Sequence, residues 1–289
     1  MQRMTRVLIT QVRAAWRTLW STVQLFADDQ GLTWAGAIGL YLFLSVPPFV
    51  VATAWAAGFF FPPEQAEAFM LEQVAKYLPA EQDLLEGILA YKPTEAVGGV
   101  VTAALLLFSG TRAFAAMTSA INVMWRRVDR LTFLRRQVLR IGMLLVTLGL
   151  LALATLGEVL VGALLDGGGS SGDGWLLDWQ LIPSVLLGMF LVAGYKQLPR
   201  EPVSWAHAAI GATLATVGVR SAQAAFGMLA NAGIFRTPYG EFADIALMAT
   251  WALAVGVIIL FGAALVAVLD GKRTVEGRDE DEARFSRAA

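Results

Sequence analysis

The chain has 289 residues, is 57% hydrophobic and only 16% charged, and has a mean hydropathy of +0.60. Globular domains average about 45–50% apolar and about 25% charged residues, so this composition excludes an ordinary soluble domain and points to a membrane protein. With no cysteine, disulfides, thiolate metal sites and cysteine nucleophiles are excluded, and the lone histidine, His207, argues against histidine metal centres. The formal net charge of −1 conceals a strong segregation of charge along the chain.

Residues 1–30 carry Arg3, Arg6, Arg13 and Arg17. Leu8, Val12, Ala15, Trp16, Leu19, Val23 and Phe26 recur at spacings of three or four, which is a helical stripe. Two readings stand: an amphipathic helix on the inner leaflet, or a helix packed on the protein's own cytoplasmic loops. The first long apolar run is too long for a signal-peptide core and no A-x-A site follows it, so no cleavable signal is expected.

Six apolar spans are expected, at about 35–61, 97–125, 141–165, 179–195, 203–225 and 245–269. A spanning helix needs about 20 apolar residues at 1.5 Å each. Pro47 and Pro48 lie inside the first, where the missing donors predict a kink that Ser45 partly accommodates. Between the first two spans, residues 62–95 are acidic, with Glu64, Glu67, Glu72, Glu81, Asp83, Glu86 and Glu95 against Lys76 and Lys92. Interspersed apolar residues predict one or two short helices there. Residues 166–178 are Gly/Ser-rich and read as a flexible outer loop. The end of the fifth span is indistinct, because Asn231 and two glycines interrupt residues 226–235.

Between the second and third spans stand Arg126, Arg127, Arg130, Arg135, Arg136 and Arg140. Polybasic loops beside membrane spans are retained in the cytoplasm and attract anionic lipid headgroups. With this loop inside, both termini are inside. The N-terminal arginines, Lys196, Arg200 and the basic residues of the tail then fall on the same side, leaving Lys76, Lys92 and Arg236 outside. The expected fold is therefore all-α: a cytoplasmic amphipathic helix over 1–30, a six-helix transmembrane domain over 31–270, and a charged, disordered tail over 271–289. The expected location is the inner (plasma) membrane, with both termini cytoplasmic.

A charged side chain at mid-bilayer costs about 2.5–3.5 kcal/mol, which makes Arg112, Glu158 and Arg220 the candidate polar site. Counted from the inner ends of their spans, Glu158 and Arg220 lie at about 26 Å and Arg112 at about 20 Å. Glu158 is expected to pair with Arg220, with Arg112 as alternative partner. Such a cluster either fixes helix register or lines a cavity with excess positive charge that receives an anionic group. Asn122 and Gln223 are supporting polar residues; amides near helix ends most often bond neighbouring backbone. His207 reads as an interfacial histidine, with no second titratable group expected at its depth. Small residues at spacing four (Ala35/Gly39, Ala208/Ala212, Gly211/Ala215, Gly218/Ala222) predict close helix packing.

No G-x-x-x-x-G-K-[ST] and no H-E-x-x-H occurs, and no carboxylate cluster suits a pair of metal ions. Neither a cofactor, a metal, a nucleic-acid partner nor an enzymatic activity is expected.

Leu44-Ser45-Val46-Pro47-Pro48, Ser109-Gly110-Thr111-Arg112, Ala120-Ile121-Asn122, Tyr195-Lys196-Gln197-Leu198-Pro199, Gly211-Ala212, Tyr239-Gly240, Trp251 and Gly262-Ala263 follow one another along the chain, and in that order they resemble the YihY/BrkB family of bacterial inner-membrane proteins, once labelled ribonuclease BN. Leu44-Ser45-Val46-Pro47-Pro48 is similar to its L-S-x-x-P segment, and Ser109 to Arg112 with Ala120-Ile121-Asn122 to its small-Arg and A-x-N elements. Tyr195-Lys196-Gln197-Leu198-Pro199 is similar to its Y-[RK]-x-x-P turn, followed by Gly211-Ala212. Tyr239-Gly240, Trp251 and Gly262-Ala263 are similar to its last span, but Ala264 stands where the family often has an acid. The resemblance covers about residues 28–270 and implies six spans. Envelope and virulence links in the family imply transport of a lipid or amphipathic anion. The alternative is a non-transporting scaffold whose acidic outer segment binds an envelope partner. The ribonuclease label finds no support in these residues.

Overall fold

The computed structural model describes residues 2–57, 96–125, 138, 141–143, 145–146, 149, 181–199 and 203–271. The expectations for the acidic segment 62–95, for the six loop arginines, for Glu158, for the Gly/Ser loop and for the tail beyond 271 lie outside these residues. Among the described residues every regular element is helical. The elements are α1 (Gln2–Asp28), α2 (Gly31–Ala57), α3 (Ala96–Met124), α4 (Leu181–Gln197), α5 (Trp205–Asn231) and α6 (Ala243–Leu269). A single helical turn, Arg236–Tyr239, and a 3-10 turn, Gly240–Phe242, lead into α6. The described residues of the third apolar run are helical as well. Among the described residues, three stretches are long and apolar enough to cross a membrane: Gly31–Val51, Val100–Met124 and Arg236–Leu269.

α6 is the hub. A helix that is apolar on every side belongs in an interior, and Gly262, Ala263, Ala264, Leu265, Val266 and Ala267 are buried in unbroken succession. α2 packs along one side of α6 and α5 along another; α3 lies against α2, and α4 against α5. The core collects Leu25, Ala35 and Ile38 with Met117, Ile121 and Trp125 of the α3 end, Tyr195 and Leu198 of the α4 end, and Ala208 and Leu260. All of these lie toward one end of the bundle, called basal below. The distal half of α5 contrasts with it: no residue beyond Val219 is buried.

Small residues permit the two main crossings, as their spacing predicts. A Cβ at Gly39 would stand 2.8 Å from the Leu253 backbone, and one at Gly256 would stand 2.6 Å from Ala35 O. On the other flank, a Cβ at Gly262 would stand 3.0 Å from Gly211 O. All are shorter than the 3.5–4.0 Å optimum of carbon contacts, so only glycine lets these backbones meet.

α2 continues through Pro47 and Pro48. The prolines deprive the carbonyls of Phe43 and Leu44 of their helical donors. Ser45 Oγ, however, donates to Leu42 O at 2.7 Å, a carbonyl that neither proline frees.

Of the described residues of the stripe expected on α1, only Phe26 turns toward the bundle, and the buried residues lie off that stripe. Thr22 and Leu25 are buried against the bundle, and Phe26 meets Phe261 of α6 edge-on at 6.1 Å. Trp16, Leu19 and Val23 face outward. The turn into α2 is tight: Gln30 has φ 57°, and Gly31 lies so close to Phe26 that a Cβ would fall 2.5 Å from its ring.

Candidate functional site

Of the candidate site residues that are described, Arg112 and Arg220 sit on different helices. Arg112 projects from the middle of α3 and is exposed, although Ser109, Ala113 and Ala116 on the same helix are buried. Its guanidinium lies over the ring of Phe108, 5.3 Å from the centroid, a cation–π contact on its own helix. Arg220 stands on α5 where burial ends, and its Nη1 donates to Gln223 Oε1 at 3.0 Å. Gln223 thus supports Arg220 within one turn. α3 meets α4 at Phe114 and Phe190, 6.0 Å between ring centroids. Asn122 is buried; its Nδ2 donates to Thr118 O at 2.9 Å, the local backbone bond expected of it, and its Oδ1 finds no partner among the described residues.

A polar junction closes the basal end, and there the expectation for His207 is corrected. A second titratable group does lie at its depth: His207 Nδ1 is 3.0 Å from Asp270 Oδ1. Asp270 caps the C-terminus of α6, where its amide donates to Val266 O and Gly271 follows at φ 69°. The same carboxylate oxygen accepts the Ser204 amide at 3.2 Å. Ser204 is the extended N-cap of α5, and its own side chain makes no capping bond. Asp270 therefore supplies from another helix what the acid of a capping box supplies locally, and its charge faces the positive end of the α5 dipole. Lys196, in the last turn of α4, donates to Val203 O and lies over the Trp205 ring at 5.1 Å. The ends of α4, α5 and α6 are thereby tied by one set of polar contacts. The clue in the sequence was that the fifth span begins, and the sixth ends, on the same side.

Among the described residues, no group of three or more His, Asp or Glu side chains could hold a metal ion.

A family model described as "Virulence factor BrkB" matches residues 22–287. The chain belongs to the BrkB family. A "UPF0761 membrane protein" of Tolumonas auensis is 28% identical over 286 residues, covering 91% of this chain and 87% of that protein. One of Chromohalobacter salexigens is 26% identical over 91% of this chain, but the chain covers only 65% of that relative's length. One of Aromatoleum aromaticum is 36% identical over 95 residues, 31% of this chain and 22% of that protein. No solved structure matches the chain.

Membership makes this a BrkB membrane protein, and the structure joins two of the BrkB-like segments physically. Tyr195, from the Y-K-x-x-P turn, is buried and donates its hydroxyl to Ile259 O on α6 at 2.6 Å. It occupies the space left by Gly262 of the Gly-Ala pair, where a Cβ would fall 2.7 Å from Tyr195 Oη. The motif tyrosine is thus a structural pin of the basal core.

Proposed function

We propose that this BrkB protein is an inner-membrane translocator of a lipid or amphipathic anion, without enzymatic activity. The observation that carries the reading is Arg112: a guanidinium exposed on a helix apolar enough to span a bilayer. A cation in that position is costly against hydrocarbon and is stable beside water or an anionic group. Arg220, at the point on α5 where burial ceases, adds a second positive charge. No nucleotide-binding motif accompanies them, so the proposed movement is passive, ion-coupled or driven by a partner. The clustering of Lys and Arg supports both termini in the cytoplasm.

The test is reconstitution into liposomes with a fluorescent-lipid scrambling assay. Wild type is expected to scramble. Arg112→Ala is expected to slow scrambling about tenfold, the effect of losing a charge-assisted contact of roughly 1.5 kcal/mol. Wild type that moves no lipid refutes the lipid version of the proposal and favours a scaffold role.

A further inference from the structure

The outward face of α1 has no role in the proposed translocation. Trp16 is 66% exposed, Leu19 43%, Trp20 54% and Val23 42%. Spacings of three and four put them on one stripe. The side pressed to the bundle instead carries the buried Thr22 and Leu25, with the Thr22 hydroxyl bonded to Thr18 O at 2.8 Å. The helix is docked with two tryptophans turned away from the protein and a threonine turned toward it. That orientation is stable only where the outside is itself partly apolar.

Two exposed arginines, Arg13 and Arg17, border the stripe on one side. At 3.6 residues per turn they fall beside Trp16 and Trp20 and away from the docked side. Tryptophan favours the boundary between headgroups and acyl chains. Arginine can lay its stem along apolar surface while its guanidinium reaches phosphate. This complementarity selects the occupant.

We propose that α1 is a strap that binds the surface of an anionic bilayer, with Trp16, Leu19, Trp20 and Val23 in the headgroup boundary and Arg13 and Arg17 on phospholipid phosphates. It is held to α6 through the Phe26–Phe261 contact, so the same helix touches both the lipid surface and the hub of the bundle.

The chain contains no cysteine, so single spin labels can be placed cleanly on the full-length protein in nanodiscs of phosphatidylcholine and phosphatidylglycerol. A label at V23C is expected to be accessible to oxygen and shielded from an aqueous nickel chelate; a label at A14C, off the stripe, is expected to show the reverse. The preference for spin-labelled phosphatidylglycerol over phosphatidylcholine is expected to fall about fivefold for each of R13Q and R17Q. Water-exposed V23C, or an unchanged lipid preference in the double variant, overturns the proposal. So does a short distance between V23C labels of two copies, because the stripe would then be a dimer interface.

Discussion

Gly36 and Gly39 lie one turn apart on α2 and offer a controlled test of the hub. A Cβ at Gly39 would stand 2.8 Å from both the amide nitrogen and the Cα of Leu253, whereas a Cβ at Gly36 would meet nothing within 4 Å. The obstruction at Gly39 is backbone, so it yields only if α2 and α6 separate. Both glycine-to-alanine changes gain the same helix propensity, about 1 kcal/mol. That gain cancels in the comparison and leaves the steric term, about 1–3 kcal/mol for overpacking. Gly36→Ala is therefore expected to be neutral or stabilising, and Gly39→Ala to fall about 1–3 kcal/mol below it. Unfolding of purified protein in detergent, followed by tryptophan fluorescence against added SDS, reads the difference. Equal midpoints for the two variants would refute the α2–α6 crossing.

Four further outcomes are expected in the same assay. Asp270→Ala, which removes a partner of His207 and the cap of α5, is expected to cost about 1–2 kcal/mol. His207→Ala is expected to cost less, because the Ser204 amide keeps its acceptor, and a double-mutant cycle is expected to return about 0.5–1 kcal/mol of coupling; zero coupling would mean that the 3.0 Å contact contributes nothing. Tyr195→Phe is expected to cost about 0.6 kcal/mol, a typical value for an interhelical hydrogen bond in a membrane protein. Gly262→Ala is expected to be tolerated better in the Tyr195→Phe background, since the obstructing hydroxyl is gone; an identical cost in both backgrounds would mean that Tyr195 does not fill that space.

The apolar runs were legible because their signal is long and local. The expected spans at 97–125 and 245–269 become Ala96–Met124 and Ala243–Leu269. The fifth span ran further than expected, to Asn231, because Gly227 and Asn231 are tolerated in the distal half of the helix, where no residue beyond Val219 is buried. Small residues at spacing four also predicted correctly where backbones approach. Two features could not be read from local pattern. The periodicity of α1 identified a helix, but the side that docks is set by Phe261, far along the chain. The His207–Asp270 contact joins residues 63 positions apart at the edges of two apolar runs, where hydropathy is silent. Arg112, Arg220 and Gln223 were identifiable as charge and amide inside apolar helices, yet nothing in the pattern could show that Arg112 rests on Phe108 or Arg220 on Gln223.

The helix at the centre leaves the ribosome after the helices it unites. α2 with α3, and α4 with α5, can associate as pairs during synthesis, but the wedge that unites them arrives only at residues 243–269. Until then two half-assemblies must coexist in the bilayer with their glycine seams unfilled. A nonsense codon upstream of Ala243 would strand both halves, and quality-control proteolysis should recognise those seams.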